Sequence, residues 1–273
     1  MNRHILRSLV VMSLAVGAAA ITSYYLSYRK VLAQSGRLEL TATSTLSAYD
    51  PSNTEGRREI KVYATRKDGS RAQWTRKYLA TNWNVPIAET RRVLDIGDKR
   101  DVGIDPLTQS LTSAPLSSAQ VAAYTLPPDS SCSVAINRED PNATVAAHPD
   151  PPSLLGYPVV EVTHWDTIRG TRHLARQEWL APQLECLKLR QVATFRDDAS
   201  GLSARNEEDV TSVTIGPPDP GLFVIPSDYT ERAPSQVFAA AARVRGEPEC
   251  RECEKVSTKA LDDAYHRRRG EMR

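Results

Sequence analysis

The alternation of side chains in residues 187–196 restricts the fold of this chain more than any other feature of its sequence. Mainly apolar side chains share one face of this stretch: Leu187, Leu189, Ala193 and Phe195. Polar side chains share the other: Lys188, Arg190, Thr194 and Arg196. A two-residue repeat is typical of a β-strand with one buried side and one wet side. Turn-forming residues at 197–201 then predict an antiparallel return strand that ends at Ile215.

Similar signals recur along the chain and predict a mainly β, antiparallel domain over residues 34–232. Further strands are predicted at 37–43 and, at a sheet edge, 108–118, and residues 117–126 have some helical character. Hairpins are predicted over 59–78, 90–104 and 156–179, the first around a type I′ turn at Asp68-Gly69. The chain has 18 prolines and only 6% aromatic residues, a composition that suits a loop-rich β protein better than a helical bundle.

Two segments depart from this pattern. Residues 127–153 are rich in proline and polar residues, and they predict a long loop that is either functional or a flexible flap. Residues 233–273 predict a helical or partly disordered tail, with a short helix at 236–244 capped by Ser235 and a second candidate helix at 252–269.

The N-terminal segment, residues 1–33, is predicted to be a membrane anchor or a cleaved signal peptide. Residues 8–28 form a run of 21 residues without a charge. About 20 apolar residues span a bilayer, whereas the apolar region of a signal peptide is usually only ~7–15 residues long, so we favour an anchor. Arg3 and Arg7 favour an N-terminus on the inner side. The expected location is the inner membrane, facing the periplasm or the cell exterior, with secretion after cleavage as the alternative.

The chain has four cysteines, and an exported chain favours disulfides. Four cysteines allow three pairings. Cys132 and Cys186 are the two that lie within the predicted β domain, so we expect them to pair with each other. Cys250 and Cys253 form a Cys-x-x-Cys motif in the tail. We interpret this motif as a local disulfide or a pair of inert thiols, with metal binding and redox activity as alternatives.

Neither alternative for Cys250 and Cys253 has strong support in the neighbouring sequence. Acidic residues surround the pair and disfavour the thiolate that redox chemistry requires: Glu247, Glu249, Glu252 and Glu254. A zinc site needs two further ligands, and only His266 is close in sequence.

No motif for catalysis is present, so we assign no catalytic residue and no cofactor. The chain lacks a Gly-x-Ser-x-Gly motif, a Walker loop and a His-Glu-x-x-His motif. His164 and His173 flank a hairpin turn and could bind a metal or exchange protons, although isolated surface histidines are more common. We interpret Glu207-Glu208-Asp209 as a solvated strand face. The formal net charge of only +2 provides no broad basic surface for nucleic acid.

Residues 179–226 resemble the C-terminal half of LolA-like periplasmic proteins. The resemblance is carried by Trp-Leu-Ala-Pro at 179–182, Leu-Lys-Leu-Arg at 187–190, the turn at 197–201 and Asp-Pro-Gly-Leu-Phe-Val-Ile-Pro at 219–226. A group of uncharacterised exported bacterial proteins is similar to this chain in these segments and also at 68–70 and 105–108.

In the LolA-like family, a curved antiparallel half-barrel encloses a lipid moiety. The resemblance therefore implies a half-barrel-like meander whose inward side chains form one apolar floor for a ligand. The candidate floor residues are Leu187, Leu189, Phe195 and Phe223, with Ile225 packed beside them. From these observations we expect an exported, membrane-anchored, non-enzymatic β domain. Its expected partner is either an apolar ligand such as a lipid or an envelope protein. The alternative is an envelope redox or metal-binding protein that uses Cys250 and Cys253.

Overall fold

The structure is a computed structural model that describes residues 36–126, 132, 143–145, 152–168, 171–196 and 203–245. Several predicted features lie outside these residues: the anchor or signal peptide at 1–33, the turn at 197–201, most of the loop at 127–153, the candidate helix at 252–269, and Cys250 and Cys253. Within the described part of the chain, no helix is both long and apolar enough to span a membrane.

The N-terminal half forms six consecutive antiparallel strands followed by a helix. The strands are β1 (Leu40–Tyr49), β2 (Glu55–Thr65), β3 (Arg71–Leu79), β4 (Ala88–Asp95), β5 (Arg100–Asp105) and β6 (Ser110–Pro115). Helix α1 (Ser118–Thr125) begins with a capping box, in which Ser117 and Gln120 satisfy each other's backbone N–H groups.

The C-terminal half contains eight described strands and one helix. The strands are β7 (Thr144–Val145), β8 (Ser153–Leu154), β9 (Tyr157–Pro158), β10 (Val160–Ile168), β11 (Thr171–Ala181), β12 (Leu187–Arg196), β13 (Ser203–Ile215) and β14 (Thr230–Glu231). The helix is α2 (Pro234–Arg245). Short 3₁₀ turns follow β11, at Pro182–Leu184, and β13, at Pro220–Phe223.

Twelve of the described strands form one sheet in the order β14-β6-β5-β4-β3-β2-β1-β13-β12-β11-β10-β7, and β8 and β9 pair separately. Each pair of neighbours in the large sheet is antiparallel except β14 and β6, which are parallel. The sheet thus consists of two meanders that meet where β1 pairs with β13. The prediction of a mainly β, antiparallel fold is confirmed. The strand predicted at the sheet edge, residues 108–118, corresponds to β6, which lies one position inside the edge because β14 pairs with it.

The β2–β3 hairpin has the predicted partners but a different turn. Thr65 pairs with Arg71, so the connection is a five-residue loop rather than the two-residue type I′ turn predicted at Asp68-Gly69. The Asp68 carboxylate accepts a hydrogen bond of 2.8 Å from the Ser70 N–H. Gly69 adopts a φ of +89°, and a Cβ there would lie 2.5 Å from the Tyr124 carbonyl oxygen. The close approach of α1 therefore requires glycine at this turn.

A disulfide joins Cys132, in the connection between the two meanders, to Cys186 just before β12. The two Cα atoms are 5.6 Å apart, and the residues are separated by 54 positions in the sequence. Cys132 is fully buried and packs with Val162 and Leu180 in a small apolar cluster. The predicted pairing is confirmed.

Two larger apolar clusters contain most of the other buried apolar residues of the described chain. The first joins β1, β12 and β13 through Leu40, Ala42, Val159, Ala181, Leu184, Leu189 and Val210. The second joins β2 to β5 through Ala64, Ala72, Val93, Val102, Ile104 and Phe223. The first cluster therefore lies where the two meanders meet, and the second lies on the N-terminal meander.

Candidate ligand-binding cleft

A cleft of about 360 Å³ lies between helix α2 and strands β4 to β6. The strands contribute Ala88, Thr90, Gly103 and Thr112, and the helix contributes Val237, Phe238 and Ala241. Gly103 contributes only backbone to this wall. A side chain would not fit at this position, because a Cβ there would lie 2.7 Å from the Thr112 hydroxyl. The small and apolar side chains leave a space that suits a narrow apolar ligand.

Local sequence explains why helix α2 begins at this position. Strand β14 pairs with β6, and the Arg232 N–H donates to the Leu111 carbonyl at 2.8 Å, which brings the chain alongside β6. Pro234 suits the first turn of a helix, where its missing N–H costs no hydrogen bond. The Gln236 side chain accepts from the Ala233 N–H at 3.1 Å, and four alanines at 239–242 favour helix.

The cleft has charged groups at its rim. The Arg91 guanidinium pairs with Glu89 at 3.3 Å, and the Lys77 ammonium pairs with Glu59 at 3.6 Å. Lys77, Glu89 and Arg91 all line the cleft, but the side chains of Glu89 and Arg91 lie on the face of the sheet opposite Thr90, where Arg91 stacks on Trp74. The Lys77–Glu59 pair beside the apolar wall can accommodate the polar end of an amphiphile whose chain lies in the cleft.

The predicted floor residues do not form one surface. Leu187 and Leu189 pack in the first apolar cluster, whereas Phe223 and Ile225 pack in the second. Phe195 is 57% exposed near the end of β12. The separation arises because the 3₁₀ turn at Pro220–Phe223 carries Phe223 onto β2 to β5 instead of back to β12.

The interpretation of Glu207-Glu208-Asp209 as a solvated face is wrong for Glu208, which is buried. Its carboxylate accepts hydrogen bonds from the Ser44 hydroxyl at 2.7 Å, the Tyr63 hydroxyl at 2.9 Å and the Lys61 ammonium at 2.9 Å. Burial opposes ionisation of this carboxyl, but the charge of Lys61 and these hydrogen bonds outweigh it and lower the pKa of Glu208. Burial, and then the charge of Glu208, raises the pKa of Tyr63 far above its ordinary value.

A second buried carboxylate, Glu178, lies on β11 and continues this polar set across the sheet. Its oxygens lie 3.0 Å from the His164 imidazole and 3.2 Å from the Lys188 ammonium, which also bonds to Gln191. Gln191 is the cross-strand neighbour of both Glu178 and Glu208. Lys188 was predicted to face water and instead binds this carboxylate. The pairing of β11 with β12 shifts by one residue at Leu189, which breaks the simple alternation.

Neither histidine that flanks the β10–β11 turn belongs to a described metal site. His164 is buried against Glu178, while Asp166 pairs across the hairpin with His173. Among the described residues, no group of three or more His, Cys, Asp or Glu side chains could hold a metal ion.

The pH dependence of stability provides a test of the Glu208 cluster. Since the folded-state pKa of Glu208 is lowered, its contribution is complete above the unfolded-state pKa of about 4.3 and is lost as pH falls through the folded-state value. We expect Glu208→Gln to lower the free energy of unfolding by about 1–3 kcal/mol at pH 7. Below pH ~4.3, the variant should lose less stability than the wild type. Urea unfolding at a series of pH values measures both effects.

The neighbouring acid Glu207 provides a matched control for this measurement. Its carboxylate pairs with Arg205 at 3.0 Å and lies outside the Glu208 cluster. Glu207→Gln should therefore keep the wild-type pH profile. Identical profiles for Glu208→Gln and the wild type would contradict a stabilising ionised Glu208.

Comparisons with known proteins assign no family to the chain. No family model matches the chain, and no curated protein matches it. Similar solved structures include PNGF-II, with a TM-score of 0.39 and 11% identity over 76% of this chain; the match spans only 33% of PNGF-II. LprF from Mycobacterium bovis has a TM-score of 0.33 and 11% identity, covering 74% of this chain and 98% of LprF.

The LolA superfamily is also represented among the similar solved structures. The LolA superfamily protein NE2245 from Nitrosomonas europaea has a TM-score of 0.28 and 10% identity, covering 73% of this chain and 97% of its own. At these scores and identities, the likenesses assign neither a family nor a function to the chain.

Proposed function

We propose that this chain is an exported β domain that binds an apolar ligand, the acyl chain of a lipid, in the cleft beneath α2. The cleft itself is the observation that carries this proposal: about 360 Å³ of space between apolar helix side chains and the small side chains of β4 to β6. The Lys77–Glu59 ion pair beside it suits a polar headgroup. The resemblance of residues 179–226 to LolA-like proteins, in which a half-barrel encloses a lipid moiety, is consistent with such a ligand.

The proposed location is outside the cytoplasm, with residues 8–28 as a membrane anchor. Two features support export: the uncharged run of 21 residues and the Cys132–Cys186 disulfide, which oxidising compartments favour. The N-terminal sequence of the mature protein distinguishes an anchor from a signal peptide. A start near Ile21 or Gln34 would contradict the anchor and leave a secreted domain.

Photo-crosslinking with a diazirine-labelled fatty acid tests the cleft in the full-length protein. We expect the label on peptides from β4 to β6 and from α2. Thr90→Trp places a large ring in the cleft and should reduce labelling about tenfold, equivalent to ~1.4 kcal/mol of binding free energy. Peptide mapping by mass spectrometry provides the readout.

The control for Thr90→Trp is Ser212→Trp, which adds the same ring to an exposed position on β13, outside the cleft. The diazirine fatty acid should label the Ser212→Trp variant to the same extent as the wild type. Equal labelling of the two variants, or labelling confined to peptides outside β4 to β6 and α2, would contradict a ligand in this cleft.

A further inference from the structure

The connection between β3 and β4, residues 79–87, carries exposed apolar side chains; we refer to these residues as the β3–β4 tip. Leu79, Val85 and Ile87 are 41%, 56% and 43% exposed. Trp83 lies among them, partly exposed, and the Arg58 guanidinium stacks on its ring at 4.6 Å. Aliphatic side chains around a tryptophan are the combination that favours the interface between water and a lipid bilayer.

The backbone holds the β3–β4 tip in a defined shape. The Ala80 N–H donates to the Gly56 carbonyl at 3.0 Å, which ties the tip to β2. The Ile87 N–H donates to the Lys77 carbonyl at 2.7 Å, which closes the connection at its base. The apolar side chains are therefore presented by ordered backbone, which lowers the entropic cost of binding a surface.

The charges beside the β3–β4 tip favour an anionic partner. Four cations flank it, with side chains 38–45% exposed: Arg57, Arg58, Arg76 and Lys77. The carboxylates with which they pair are only 10–23% exposed: Glu55, Glu59 and Glu89. The cations therefore dominate the solvent-facing charge around an apolar tip. This arrangement complements the headgroups of anionic lipids.

We propose that the β3–β4 tip docks into the headgroup region of an anionic lipid bilayer. Trp83, Val85 and Ile87 enter the interface, and the flanking cations contact lipid phosphates. The tip also lies next to the cleft, because Lys77 and Ala88, which flank it in β3 and β4, both line the cleft. Docking of the tip brings the rim of the cleft close to the bilayer surface. The docking itself does not require a ligand in the cleft.

Quenching of tryptophan fluorescence by brominated acyl chains tests this proposal in the full-length protein. The chain has four tryptophans, at positions 74, 83, 165 and 179, so the N-terminal segment contributes none. In vesicles of brominated phosphatidylcholine with phosphatidylglycerol, we expect quenching of wild-type emission that Trp83→Phe largely removes. Trp165→Phe is the matched control, because Trp165 is 38% exposed and, like Trp83, lies beneath an arginine, here Arg172 at 4.6 Å.

A second pair of variants distinguishes docking of the tip from ligand binding in the cleft. Val85→Ser with Ile87→Ser should reduce quenching at least about threefold while cross-linking of the diazirine fatty acid to α2 persists. Thr90→Phe, which fills the cleft without adding a tryptophan to the emission, should reduce that cross-linking and leave quenching intact. Val224→Ser with Ile215→Ser, at exposed apolar positions elsewhere, should leave both signals unchanged.

Three outcomes would overturn the proposal. Quenching that survives Trp83→Phe, or that Trp165→Phe removes instead, would place another part of the domain at the bilayer. If none of the vesicle compositions quenches the tryptophan emission, lipid docking is excluded and a protein partner for the tip is favoured. Equal quenching in vesicles of brominated phosphatidylcholine alone would overturn the preference for anionic lipid.

Discussion

Replacing Cys132 and Cys186 together by serine is expected to lower the free energy of unfolding by about 4 kcal/mol. The disulfide closes a loop across 54 positions of sequence, so its removal frees a large part of the unfolded chain. Cys132 is also fully buried against Val162 and Leu180, where a hydroxyl is less favourable than sulfur. Urea unfolding of the full-length protein measures the change.

The reduced wild type provides the control for this double replacement. Treatment with a reductant should move the unfolding midpoint of the wild type close to that of the serine variant. The same reductant should leave the unfolding midpoint of the serine variant unchanged. A wild type with the same midpoint with and without reductant would contradict a stabilising Cys132–Cys186 bond.

Leu189→Ala is expected to lower the free energy of unfolding by roughly 2–5 kcal/mol. Leu189 is 2% exposed and packs with Leu40, Val210 and Leu184 where the two meanders meet. Removing its side chain forfeits apolar burial and leaves a cavity among them. Thermal and urea unfolding measure the effect.

Ile215→Ala is the control for Leu189→Ala, because Ile215 is exposed and its truncation should change stability by less than about 0.5 kcal/mol. Labelling of α2 by the diazirine fatty acid should be unaffected by Leu189→Ala, since Leu189 does not line the cleft. Unchanged stability would mean that Leu189 is not part of a closed core. Lost labelling with unchanged stability would support the ligand floor predicted from the sequence.

The strands were predictable because alternation and turn residues are local properties of the sequence. The β10–β11 and β12–β13 hairpins and the β4–β5 hairpin follow from such patterns, and the Cys132–Cys186 bond was predicted from the expected export and from position in the chain. The length of the β2–β3 loop was not predictable from Asp68-Gly69 alone. The requirement for glycine at position 69 was not predictable either, because it arises from the Tyr124 carbonyl oxygen of α1, which a Cβ there would approach to 2.5 Å.

The candidate cleft and the buried carboxylates depend on contacts that are distant in sequence. A helix near residues 236–244 was predictable, but the strands that it covers are determined by the pairing of β14 with β6. Charges occur on both faces of residues 207–209, so alternation could not identify Glu208 as buried. Its partners Ser44, Lys61 and Tyr63 lie 145–164 positions earlier in the chain. Only the completed sheet brings them together.

The Glu208 cluster lies across the ladder at which the two meanders join, and this position affects strand register. Ser44 belongs to β1, Lys61 and Tyr63 belong to β2, and Glu208 belongs to β13. A slip of one residue between β1 and β13 would turn Glu208 to the opposite face of the sheet. Lys61 and Tyr63 would then lose the carboxylate that satisfies them, and breaking a buried ion pair costs about 3–5 kcal/mol. The bulge in this ladder between Thr43 and Ser44 adds a second constraint on alignment. The carboxylate cluster therefore reinforces the register that the buried apolar side chains of β1 and β13 also favour.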